Sequence, residues 1–92
     1  LNGGTTEGRG LELTLDRVVA REMSRLAAQQ RRLRAQLTEF ERRYSLSSRD
    51  FYARFERGEM GDDTDFVEWS ATHEMLENLD TRLDILRGGR NS

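Results

Sequence analysis

Five carboxylates crowd one short stretch of the chain, Glu59, Asp62, Asp63, Asp65 and Glu68, and they are the residues whose types most suggest chemistry. Calcium loops need oxygen ligands at alternating positions around a glycine, closed by a glutamate at the twelfth position. That spacing is absent. A carboxylate pair for glycoside hydrolysis has no support either, because acids at the start of a helix are explained by capping and by the helix dipole. His73 has no second histidine or cysteine near it, and Ser47, Ser48 and Ser70 lack the glycines of a nucleophile elbow. No glycine-rich phosphate loop occurs, and with no cysteine and one histidine a zinc site of about four ligands cannot be assembled. The chain reads as a non-enzyme with no cofactor, no metal and no catalytic residue.

Binding is the chemistry that remains, and charge is its first indicator. Residues 1–57 hold twelve arginines against eight acids, a balance of +4, whereas residues 58–92 hold three against nine, a balance of −6. Two halves of opposite sign can fold back on one another, or the acidic half can meet a basic partner. Arg31, Arg32, Arg34, Arg42 and Arg43 form a basic stripe of the kind that contacts phosphates, but Glu39 and Glu41 interrupt it. The whole chain is acidic at −2 and its aromatics read as buried, which argues against direct nucleic-acid binding. No apolar run reaches the roughly 18 residues of a membrane span, and a cytoplasmic location is expected.

The elements that position these residues follow from periodicity. Residues 1–13 open on LNGGTTEGRG, too poor in apolar side chains to order themselves, and read as a flexible leader. Thr14 reads as the N-cap of a long helix in which Val19, Leu26, Leu33 and Phe40 recur every seven residues, with Met23, Leu37 and Tyr44 at the other seam position. Gln30 is the polar member of that second set, and a polar seam residue fixes register or partner number at some cost in stability. Val19, Met23, Leu26, Gln30, Leu33 and Leu37 are therefore the expected oligomer seam. Ser47 with Asp50 three residues on predicts a capped short helix over about 48–57, stopped by Gly58. Asp62 or Asp63 caps a third helix, about as amphipathic as the first, in which Phe66, Trp69, Leu76, Leu79, Leu83 and Leu86 follow helical spacing to the glycines at 88 and 89.

The expected fold is all-α: long helix, short corner helix and second long helix in an antiparallel hairpin over 14–87, with a flexible tail at 88–92. A two-helix core of this size is thin, so a homodimer or a complex is expected. All seven aromatics fall between Phe40 and Trp69, which marks the corner of the hairpin as its best-packed part.

That corner also carries a resemblance. The stretch from Leu15 to Leu83, with LTLDRVVAREMSRL followed by FERRYSLSSRDFYARFERGEMGDDTDFVEW, resembles a family of small bacterial and cyanobacterial proteins encoded beside a small, TumE-like toxin gene and treated as the antitoxin of the pair. The family corner reads like Phe-Glu-x-x-Tyr-Gly-Met-Ser-Ser-Glu-Glu-Phe-x-x-x-Phe-x-x-Gly-Glu-Leu-Gly-Asp-Asp. Here Phe40, Glu41, Tyr44, Ser47, Ser48, Phe51, Phe55, Gly58, Glu59, Gly61, Asp62 and Asp63 match it, while Ser45 stands in place of glycine and Thr72-His73 where an aromatic is common. The resemblance implies an antitoxin-like module that neutralises a small basic toxin by contact. The expected partner surface is Asp62, Asp63, Asp65, Phe66 and Trp69. The alternatives are a structural homo-oligomerising hairpin without a toxin partner and, with less behind it, an arginine-helix nucleic-acid binder.

Overall fold

The computed structural model describes the backbone of residues 2–88 and side chains from Thr14 onward. It contains three helices, α1 (Asn2–Tyr44), α2 (Ser48–Glu56) and α3 (Thr64–Leu86), and among the described residues no strand. Helices α1 and α3 pack against each other as a hairpin, and α2 fills the corner between them. The long–short–long order is the one that the sequence predicts. Helix α1 starts earlier than expected: the stretch read as a leader is helical from Asn2, and Thr14 lies inside the helix instead of capping it. The helix continues through Gly3, Gly4, Gly8 and Gly10 against their low propensity. Apart from Gly88, the tail expected at 88–92 lies outside the described residues.

Local chemistry sets the remaining boundaries. Helix α1 ends on Ser45, whose φ of +51° is left-handed, and the Leu46 N–H donates to the Glu41 carbonyl at 3.3 Å, the six-to-one bond of a Schellman stop. The Ser47 Oγ caps α2 by accepting from the Asp50 N–H at 3.0 Å, and Gly58, with φ +74°, turns the chain out of it. The connector passes Gly61, also left-handed at φ +76°, before the Asp63 carboxylate caps α3 by accepting from the Asp65 N–H at 2.9 Å. Only glycine adopts such φ values without strain, so the two glycines and the two caps define the corner.

The core lies along the hairpin. Leu26, Leu33, Leu37 and Phe40 of α1 are buried with Leu76, Leu79 and Leu83 of α3, and Phe51 and Trp69 close the cluster at the corner. Fully burying a side chain such as Leu26, Phe51 or Leu83 contributes roughly 1.5–3 kcal/mol, enough for a few such residues to hold a small hairpin shut. The two arms differ in length, since 43 residues of α1 rise about 65 Å and 23 residues of α3 about 35 Å. The molecule is 67 Å long accordingly. Toward its start the described part of α1 exposes Leu15, Val18 and Val19. Helix α3 departs from the expected single stripe: besides its core residues it exposes Val67, Met75 and Ile85 on another side.

Candidate functional site

The corner is built around Trp69. Its indole lies flat on the Phe51 ring, centroids 3.9 Å apart and planes 2° from parallel, and stacks on Phe40 at 5.4 Å from the other helix. Tyr44 adds a third ring at 5.7 Å, and Phe66 meets Tyr44 edge-on at 5.1 Å. The indole N–H is satisfied inside this stack, donating to the Ser48 Oγ at 2.9 Å. Ser48 in turn offers its backbone N–H to the Glu41 carboxylate at 2.9 Å, so an acid of α1 caps the first turn of α2. One chain of bonds thus ties all three helices together.

A second set of polar contacts crosses directly from α1 to α3. The Asp65 Oδ2 accepts from the Tyr44 hydroxyl at 2.6 Å and from the Arg43 guanidinium at 2.7 Å. These donors, Tyr44 first and then Arg43, hold the Asp65 carboxyl below the usual range for aspartate. The same bond pushes the Tyr44 phenol up, because ionising it would set a phenolate against a carboxylate. Tyr52 is raised for the same reason by Glu74, whose carboxylate accepts its hydroxyl at 2.7 Å. His73 lies beside that pair with its ring centroid 4.5 Å from that of Tyr52, and its Nε2 is 3.5 Å from Glu77.

The residues expected at a partner surface therefore divide. Asp62 and Asp63 are exposed, the latter also serving as a cap. Asp65 and Phe66 are half-buried, and Asp65 is occupied by Arg43 and Tyr44. Trp69 is 0 % exposed, stacked on two sides and hydrogen-bonded within the fold. The residues of the expected oligomer seam divide as well. Leu26, Leu33 and Leu37 are buried in the chain's own hairpin, Met23 packs at its edge, and Val19 is 38 % exposed. The Gln30 side-chain amide donates to Asp80 at 2.5 Å, a bond between α1 and α3 of one chain.

The acid cluster is also less negative than its composition suggests, since Glu59 pairs with Arg57 and Asp65 with Arg43. No group of three or more His, Cys, Asp or Glu among the described residues is placed to hold a metal ion. Among those residues no helix is long and apolar enough to cross a membrane. Sequence spacing could not reveal the Arg43–Asp65, Tyr44–Asp65 or Trp69–Ser48 contacts, which join residues 21 or 22 apart across a chain reversal.

The fold and the corner define a class, an all-helical hairpin whose three helices are locked by one aromatic stack. Comparison of the chain with family models, curated proteins and solved structures gives no match.

Proposed function

We propose that the protein is an antitoxin-like binding module that neutralises a small basic toxin by direct contact, with Asp62 and Asp63 at the centre of its contact surface. The observation that carries this reading is the uneven use of the corner motif. Phe40, Phe51 and Phe55 pack, Glu41, Tyr44 and Ser48 hydrogen-bond, Ser47 and Asp63 cap, and Gly58 and Gly61 take left-handed turns. Even the exposed Glu59 has a local partner in Arg57. Asp62 is the one polar side chain of the matched motif to which the described residues give no hydrogen bond or ion pair, and it stands exposed next to the Asp63 cap. A motif carboxylate without a task in the fold is available for a task outside it, and a basic cleft is its electrostatic complement.

The test is growth rescue: the neighbouring reading frame is expressed in a bacterial host alone and then together with this chain. Relief of toxicity with co-purification of the two chains supports the reading. A harmless neighbour, or toxicity that this chain does not relieve, overturns it in favour of a structural oligomer. The nucleic-acid alternative loses ground physically, because Arg42 and Arg43 pair with Glu39 and Arg34 lies 3.7 Å from Asp80, which leaves a shorter free stripe.

A further inference from the structure

We propose that the groove between α1 and α3 binds a small organic anion, a monocarboxylate with a short apolar body. Buried Leu26 and Leu79 form its floor and Met75 an apolar wall, while Arg25 and Gln29 of α1 face Asn78 and Arg82 of α3 across about 230 Å³. The groove lies in the second half of α3, whereas Asp62 and Asp63 precede the first residue of that helix, so it is separate from the surface proposed for a toxin. Its rim is rich in donors. The described residues give the side-chain amides of Gln29 and Asn78 no hydrogen bond and Arg82 no ion pair. Arg25 has one partner, Glu22, which accepts from its Nε at 3.0 Å and its Nη2 at 2.7 Å and leaves Nη1 over.

Charge and shape select the ligand. Glu22, beside the groove, is the carboxylate that both guanidiniums feel: its carboxyl is held below the usual range by Arg25 first and, in smaller part, by Arg82. Two cations against this one anion leave a single positive charge over, which a monoanion neutralises and a phosphate monoester, at nearly two negative charges, would exceed. The two oxygens of a carboxylate can accept from a guanidinium and from amides together, so Arg82, Asn78 and Gln29 can hold one from both walls. Beneath these donors the leucine floor and the adaptable Met75 side chain offer hydrocarbon, which an inorganic anion would leave uncovered. The volume falls short of the roughly 300–1,000 Å³ typical of pockets for drug-sized ligands, which limits the body to a few carbons. Glu22 is then the chain's own competitor, drawing on the same two arginines as the ligand.

An NMR titration of the full chain with 4-methylpentanoate tests the proposal. Saturable shifts of the Gln29 and Asn78 side-chain amides are expected, with a dissociation constant on the order of 1 mM for so small a ligand. Arg82→Gln should weaken binding about tenfold through loss of a charge-assisted contact. Glu22→Gln should tighten it several-fold, because the competing charge is gone and the Arg25 fork is freed. Helix content and Trp69 emission should stay at parental values in both variants. The uncharged 4-methylpentanamide and the bodiless acetate should each bind about tenfold more weakly or worse. No saturation by roughly 50 mM 4-methylpentanoate overturns the proposal. So do equal binding of the amide or of acetate, binding that Arg82→Gln leaves unchanged, and binding that Glu22→Gln weakens. None of these changes touches Asp62 or Asp63, so toxin neutralisation is scored separately.

Discussion

Trp69 and Ser48 are joined by a 2.9 Å hydrogen bond inside the aromatic corner, and the serine that receives it is only 6 % exposed. The bond lets the indole be buried whole, since a stacked ring with an unsatisfied N–H would lose much of what its area gains.

Removing the acceptor should therefore be costly for so small a change. Ser48→Ala is expected to destabilise the fold by about 1–3 kcal/mol. For a domain of this size that lowers the melting temperature by several degrees. Thermal melts of Ser48→Ala, Trp69→Phe and the double variant decide the matter. Fully additive losses would show that the two residues do not act through this bond.

Ser45 ends α1 in a conformation that suits glycine. With φ at +51° the serine side chain is strained, and it is exposed, so little packing is lost by deleting it. Ser45→Gly should raise stability by up to about 1 kcal/mol, the relief of strain being partly offset by the looser unfolded chain. A denaturant midpoint that falls would contradict this account of the stop.

These two residues also show where sequence reading succeeds and where it fails. Caps and stops are local: Ser47 with Asp50, Gly58, and Asp63 before a helical stripe each act within a few residues, and each was legible. The hairpin was legible for the same reason, because the seven-residue repeat of α1 and the spacing of Trp69, Leu76, Leu79 and Leu83 are independent signals that match. The sequence marks an aromatic corner without saying which ring lies at its centre, the place Trp69 takes. That depends on Phe40 and Phe51 meeting from two other helices. A heptad does not state whether its partner belongs to the same chain, and Leu26, Leu33 and Leu37 pack within the chain's own hairpin. The exposure of Val67, Met75 and Ile85 on α3 went unread because Ala71, Asn78 and Arg82 between them dilute the signal.

Both tyrosines of the chain donate to carboxylates, Tyr44 to Asp65 and Tyr52 to Glu74, and both phenols are raised above their ordinary value. The folded-state values exceed the unfolded one of about 10. Their contribution to stability is thus full below that pH and is lost as pH rises through the folded values. An absorbance titration should show neither phenol ionising at its ordinary pH, with ionisation and loss of helical dichroism rising together. A tyrosine that titrates near pH 10 in a fully helical protein would remove one of the two bonds.

At acid pH the sign reverses. Asp65 is held below its unfolded value by Tyr44 and Arg43, so its contribution is present above the ordinary aspartate range and is lost as pH falls through the folded value. Asp65→Asn should flatten the decline in melting temperature below about pH 4. Equal declines in the variant and the parent would show that this carboxylate is not a source of the acid sensitivity.

Charge at the corner can be separated from folding at the corner. Asp62→Arg should leave the unfolding free energy within about 0.5 kcal/mol of the parent, as for a surface change away from any contact, and weaken neutralisation of a basic toxin. Asp63→Asn should keep the cap, since asparagine caps as well as aspartate does, while removing the charge. Rescue of growth by both variants at parental level would place the toxin contact elsewhere.

The arms of the hairpin are joined at one end only, and this sets an order of assembly. Near the corner, Tyr44 meets Asp65 across 21 residues; farther out, Gln30 meets Asp80 across 50. Each successive pairing closes a longer loop when made first but a short one when its inner neighbour is already in place. The arms therefore close like a zip from the aromatic stack outward and reopen from the free end. The same glycines and caps that shape the corner act as its pull-tab, and the end of α3, with the stretch of α1 beside it, is the last to join and the first to part.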